Sequence, residues 1–214
     1  MPKKKVLHYK TNYLNRSETF INRLVRNHVR YIPAAMCYRK RDFTNGLNLH
    51  TVPARGIAAL KNTIAFHLNR PLPFYRETVE QVNPQVIHSH FGYDAHKLMR
   101  IADEASIPHV VSFYGSDVSR LPDEPGWTRR YRELARRGSS FIAASGFMKA
   151  QLTNLGFPEE KISVVRFGLD PETIRFRDEF RLKPDFMMVG RLVEKKGFEF
   201  GIRAVVGSIT LDLM

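Results

Sequence analysis

The stretch Val86-Ile87-His88-Ser89-His90-Phe91-Gly92 and its continuation to Val110-Val111-Ser112-Phe113-Tyr114-Gly115-Ser116-Asp117 decide the fold. Residues 86–91 have strand length, with polar residues after Val86 and Ile87. Over 94–105, Ala95, Leu98, Met99, Ala102 and Ala105 fall on one helical face. Residues 110–114 form a second strand. A strand, a helix and a strand at this spacing imply a right-handed crossover between parallel neighbours.

The alternation continues in both directions. Downstream, a helix over 127–137 ends at Gly138, and a strand follows over 141–145. Next comes a helix over 147–155, with Ser145 as N-cap and Gly156 as stop, and then a strand over 162–167. Upstream, 6–9, 32–38 and 47–52 are expected strands. Helices are expected over 17–28 and over 56–68, where Ile57, Leu60, Ile64 and Leu68 share a stripe that Pro71 and Pro73 bring to an end. The prediction is an α/β fold, a doubly wound Rossmann-like parallel sheet covered on both faces. Residues 1–168 make this domain and 169–184 a linker. Residues 185–214 begin a second domain, with a strand at 186–189 and a helix at 197–206. One strand and one helix cannot build a core in isolation.

Composition narrows the function. The chain has 214 residues, 43% hydrophobic and 26% charged, which excludes collagen-like and wholly disordered classes. The lone Cys37 excludes an internal disulfide framework and fits a reducing compartment. No run approaches the ~18 apolar residues of a spanning helix. The expected location is cytoplasmic, peripheral on the inner face of the membrane. Thirty-four Lys and Arg against 21 Asp and Glu give a net charge of +13, which favours polyanions or phosphorylated ligands. Nucleic acid is not expected, because the chain has no RNP-like, helix-turn-helix or zinc-finger pattern.

In doubly wound folds, ligands bind beyond the carboxyl ends of the strands. Three such ends carry polar residues here: His88-Ser89-His90-Phe91-Gly92, Tyr114-Gly115-Ser116-Asp117 and Val189-Gly190-Arg191. For each, an ordinary strand-to-helix turn is the competing reading. The segment 189–197 puts Arg191 after a strand and Lys196 at a helix start, where two cations and backbone N–H groups would clamp a diphosphate.

These motifs occur in an order that resembles family 4 of the retaining glycosyltransferases, which have the two-domain GT-B fold. The resemblance rests on Ser17-Glu18-Thr19-Phe20-Ile21, His88-Ser89-His90-Phe91-Gly92, Phe113-Tyr114-Gly115-Ser116-Asp117-Val118-Ser119, Ala144-Ser145-Gly146-Phe147-Met148 and Leu155-Gly156-Phe157-Pro158. It continues through Lys161-Ile162, Phe167-Gly168-Leu169-Asp170 and 189–197. The Ser-Glu-Thr-Phe start is similar to the exopolysaccharide, colanic-acid-type subgroup.

The resemblance implies transfer of a sugar, with retention, from a nucleotide-diphosphate sugar to an acceptor hydroxyl in polysaccharide or glycolipid biosynthesis. Arg191 and Lys196 would hold the donor diphosphate. Ser17, Glu18 and Gly115 would bind substrate, and His90, Tyr114 and Asp117 would be the catalytic cleft residues. Asn15 with Glu18 equally fits a plain capping box. Tyr114 stands where many relatives have His. No cofactor or metal is implied, since the two cations neutralise the leaving group. His88 and His90 are read as facing opposite sides of their strand, so joint metal ligation is not expected.

Relative to the family pattern, the chain stops within the donor domain, before a pair of glutamates that hold the donor's sugar and ribose. A truncated gene, a frameshift or a fragment would each account for this. The alternative function is therefore a non-catalytic remnant or partner subunit that binds an acceptor, a membrane surface or a complementary C-terminal chain.

Finally, Trp127, Tyr131, Leu134 and Ala135 make one face of a helix whose remainder is dominated by Arg129, Arg130, Arg132, Arg136 and Arg137. That composition suits either an interfacial helix on anionic membrane or a core-packing helix with a solvated basic face. The first would serve a lipid-linked acceptor.

Overall fold

The computed structural model describes residues 3–13, 18–40, 47–68, 70–168 and 186–211. The chain divides into two compact units, Met1–Gly168 and Leu169–Met214. The first unit opens with β1 (Lys4–Tyr9), β2 (Asn12–Tyr13), α1 (Thr19–Arg26), β3 (Tyr31–Cys37), β4 (Arg39–Lys40), β5 (Leu49–Thr51), α2 (Gly56–His67) and α3 (Pro73–Val82). It continues through β6 (Val86–His90), α4 (Gly92–Glu104), β7 (His109–Phe113), α5 (Ser116–Ser119), α6 (Trp127–Arg137), β8 (Ser140–Ala143), α7 (Gly146–Asn154) and β9 (Ile162–Val164).

Seven strands form one sheet in the order β5-β3-β1-β6-β7-β8-β9, and every neighbouring pair is parallel. The chain builds outward from β1 to β5, returns, and lays β6 on the other side of β1. That reversal is the topological switch point, where the two neighbouring loops leave in opposite directions and open a crevice. The doubly wound parallel sheet expected from the sequence is therefore present. β2 and β4 form a separate small pair.

Strand alternation divides the core. Leu7 and Tyr9 of β1 and Ile87 of β6 pack with Ala34 and Met36 of β3, Tyr75 and Val79 of α3 and Leu98 of α4. Ala35 and Cys37, the alternate residues of β3, pack with Ile21 and Val25 of α1 and with Phe91. A third cluster joins β7, β8, α4, α6 and α7 through Phe113, Phe141, Tyr131, Leu134 and Leu152. Because Leu7, Tyr9 and Ile87 serve one face, His8 and His88 are committed to the other.

Two helices differ from the sequence reading. The apolar stripe of α2 does not meet the core: Ile57, Leu60, Ile64 and Leu68 are 75%, 60%, 50% and 58% exposed. The buried residue of that helix is Asn62, whose Nδ2 donates to the Ala58 carbonyl and whose Oδ1 accepts from the Phe74 N–H. α3 has no counterpart in the sequence expectation, where Pro73 ends the preceding helix. Pro73 stands at the first turn of α3, where its missing N–H has no intrahelical partner to lose.

In the second unit a 3₁₀ turn, Glu194–Lys196, leads through left-handed Gly197 into α8 (Phe198–Leu211). The strand expected at 186–189 does not form. The segment is irregular, with Phe186, Met187 and Val189 exposed. A parallel strand requires a partner edge for its backbone groups, and none pairs with this segment among the described residues.

Candidate functional site

The carboxyl ends of β1 and β6 meet at the switch point. β1 runs directly into Lys10, whose side chain is buried. An ammonium there needs compensation. Its Nζ lies 3.4 Å from Glu18 Oε1, 3.8 Å from Asp94 Oδ2 and 4.2 Å from the centre of the Phe91 ring. Asp94, in the first turn of α4, is fully buried and accepts from the Thr11 N–H at 3.1 Å and from the Thr11 hydroxyl. Lys97 Nζ stands 3.7 Å from Asp94 and donates to Thr11 Oγ1 at 2.7 Å. Burial pushes the Asp94 carboxyl above the usual carboxylate range, while Lys10, Lys97 and Thr11 pull it down. Glu18, expected as a substrate contact, is thus in the site and paired with Lys10. Its side chain makes no capping bond to α1. Ser17 and Asn15 lie outside the described residues.

Phe91 joins β6 to α4 at a backbone conformation that L-residues avoid, φ 74°. Gly92 follows because there is no room for a side chain: a Cβ there would meet Phe113 Cε1 at 2.6 Å and Tyr131 Cζ at 2.9 Å. Asp117 holds this turn to the next one. Its carboxylate accepts from the N–H groups of Gly92 at 3.2 Å, Tyr114 at 3.1 Å and Gly115 at 2.8 Å. Burial raises the Asp117 carboxyl, and the backbone donors oppose that rise. Asp117 was anticipated as a cleft residue. Its buried carboxylate shapes the loops that carry Tyr114 and Gly115. Gly115 sits at φ 138°, open only to glycine.

His90 is fully buried, with both ring nitrogens engaged: Nδ1 with Tyr114 OH at 2.6 Å and Nε2 with His8 Nδ1 at 3.1 Å. Tyr114 is half-buried, framed by Phe20, Phe91 and Phe167 at ring-centre distances of 5.0, 4.8 and 5.6 Å. The hydroxyl of Tyr114 therefore faces inward, onto His90. Burial raises its pKa well above the ordinary value.

The opposite-face reading of His88 and His90 is wrong. Residues two apart on a strand share a face, because side chains alternate with a period of two. Their ring centres are 4.6 Å apart, and His8, the register partner of His88, joins them from β1.

Arg191 and Lys196 both lie in the second unit. Arg191 is exposed in the segment before the 3₁₀ turn, and Lys196 is exposed at the end of that turn, just ahead of α8. In α6, Tyr131, Leu134 and Ala135 are buried in the protein's own core, and Trp127 packs against it. The face an interfacial helix would insert is already occupied. Beside Lys97, a cavity of about 230 Å³ is lined by Phe66, Tyr75, Arg70, Lys97 and Arg100.

The parallel sheet and its strand order agree with a sequence match to the family model "Glycosyltransferase Family 4" over residues 17–173. The chain belongs to glycosyltransferase family 4. Among its curated relatives are the amylovoran biosynthesis glycosyltransferase AmsK of Erwinia amylovora, 29% identical over 119 residues, and the putative colanic acid biosynthesis glycosyltransferase WcaL of Salmonella typhimurium, 34% identical over 96. These matches cover 54% and 43% of this chain but only 29% and 23% of the relatives. Among solved structures, Anabaena Alr3699/HepE in complex with UDP and glucose shares the fold, at TM-score 0.57 and 14% identity over 79% of this chain and 46% of that one. The lipopolysaccharide outer core galactosyltransferase WaaB in its apo form does so at TM-score 0.51 and 11% identity, over 76% and 45%. Among the described residues, no helix is long and apolar enough to cross a membrane.

Proposed function

We propose that this family 4 chain takes part in moving a sugar, with retention, from a nucleotide-diphosphate sugar to an acceptor hydroxyl in exopolysaccharide or glycolipid synthesis. The switch-point crevice, with Lys10, Glu18 and Asp94 beneath it and Tyr114 and Gly115 at its rim, carries this reading. A buried, mutually compensated ion cluster is rigid, and rigid polar groups orient hydroxyls without reorganising. Glu18 and the backbone of Gly115 position the sugar and acceptor. His90 acts through Tyr114, whose hydroxyl it holds.

In the second unit, Arg191 and Lys196 bind the donor diphosphate and stabilise the leaving group, and no metal ion is required for that task. The relatives named for amylovoran and colanic acid synthesis support an exopolysaccharide product. The cation-lined cavity supports an acceptor with an anionic headgroup, such as a lipid-linked phosphate. The membrane surface that such an acceptor requires is met by α2 rather than α6, since α2 has the exposed apolar stripe.

Calorimetric titration with UDP and GDP tests the donor half. We expect micromolar binding of one nucleoside diphosphate. A charge-assisted hydrogen bond contributes about 1.5–3 kcal/mol, so the double variant Arg191→Ala, Lys196→Ala should bind at least about tenfold more weakly. Absence of binding by the wild-type chain would favour the non-catalytic alternative, a subunit that binds acceptor, membrane or a complementary C-terminal chain.

A further inference from the structure

The histidines at the switch point form a cluster of which the transfer reading uses only His90, through the bond of its Nδ1 to Tyr114. His8, His88 and His90 are all buried, and one ligand atom from each lies within 4.8 Å of the others. His28, which follows α1, approaches His8 from the half-buried side. Packing four imidazoles together suppresses their charging. Burial lowers His88 to about 3 and lowers His8, His90 and His28 below their ordinary value. They are neutral imidazoles, the form that ligates transition metals.

The hydrogen bonds sort the ring nitrogens. His8 Nε2 meets His28 Nε2 at 2.8 Å, His88 Nε2 meets Ser112 Oγ at 2.8 Å, and His90 Nδ1 meets Tyr114 OH at 2.6 Å. Each ring thus has one nitrogen tied to an outer partner able to accept its proton. The remaining nitrogens are His8 Nδ1, His88 Nδ1 and His90 Nε2. Two of these are already 3.1 Å apart. Ligands about 2.0–2.1 Å from a tetrahedral zinc ion have similar mutual spacing. An outer partner on the second nitrogen of each ligating imidazole is the usual arrangement in metal sites.

We propose that His8, His88 and His90 bind one zinc-like divalent transition metal ion through His8 Nδ1, His88 Nδ1 and His90 Nε2. The protons then reside on His8 Nε2, His88 Nε2 and His90 Nδ1, where His28, Ser112 and Tyr114 accept them. Each ring then carries one proton and donates one lone pair to the ion. The ion replaces the hydrogen bond between His8 and His90 and clips β1 to β6 below the crevice. The site is separate from the diphosphate clamp, and its binding does not depend on the chain's being an active transferase.

The test uses the full chain, stripped with chelator and titrated with zinc chloride and with cobalt chloride. We expect one equivalent bound, an intense tetrahedral-type visible band for cobalt, and a raised melting temperature. His88→Gln and His8→Gln should each weaken binding at least about tenfold, since loss of a mere outer partner already costs about that much, whereas His50→Gln on β5 should not. If the glutamine variants fail to fold, imidazole ¹⁵N shifts of the wild-type chain decide the matter. Zinc-induced shifts at His8, His88 and His90 support the site. No binding by the wild-type chain, equal binding by folded variants, or shifts confined to other histidines would overturn it.

Discussion

At the residue scale, the site depends on positions where a side chain is forbidden or consumed. Gly92 lets the start of α4 close onto Phe113 and Tyr131. A methyl group there must displace aromatic rings of the core, and overpacking of this kind costs about 1–3 kcal/mol. Gly92→Ala is therefore expected to lower the urea midpoint with little change in slope. An unchanged midpoint would mean that the rings move freely.

The residues that matter most were unevenly legible. His88, Ser89 and His90, and Tyr114 with Ser116 and Asp117, stand out in the sequence because parallel strands place ligands at their carboxyl ends. Lys10 obeys the same rule but was overlooked, since a lysine after a short strand reads as a solvated turn. In sequence, Asp94 is only the first position of the helix expected over 94–105. Burial converts both into a compensated pair, and burial is not written in local sequence. The pairing of His88 with His90 was fully legible from strand alternation and was misread. His8 could not be added without the register of β1 against β6.

At the element scale, periodicity revealed which residues share a face but not what that face meets. The stripes of α2 and α6 look alike in sequence. α6 turns Tyr131, Leu134 and Ala135 inward, while α2 leaves its stripe exposed. Local caps were more legible, because they need only nearby backbone. Ser145 was expected to cap α7, and its Oγ accepts from the Met148 N–H at 3.2 Å. Removing it orphans that donor, so Ser145→Ala should cost about 1 kcal/mol. Denaturant titration will register this as a modest drop in midpoint, and a loss well below about 0.5 kcal/mol, the low end for a lost cap, would show that solvent replaces the hydroxyl.

At the scale of the whole molecule, the membrane contact proposed above would draw on both the net charge of +13 and the exposed stripe of α2. Lys and Arg attract an anionic bilayer over roughly a Debye length, about 8 Å at physiological salt. That attraction alone is weak and reversible. Ile57, Leu60 and Ile64 can add insertion, each worth up to about 1.5–3 kcal/mol when fully buried. The two contributions separate experimentally. Co-sedimentation with phosphatidylglycerol vesicles should fall as salt rises, and phosphatidylcholine vesicles should bind much less. The double variant Leu60→Glu, Ile64→Glu should reduce binding at least about tenfold, since 1.4 kcal/mol is a factor of ten. Arg129→Glu with Arg132→Glu on α6 should mainly flatten the salt dependence, because that helix offers charge and no free apolar face. Were the α6 pair to abolish binding while the α2 pair left it intact, membrane contact would be electrostatic alone, and the exposed stripe of α2 would have to serve a protein surface instead.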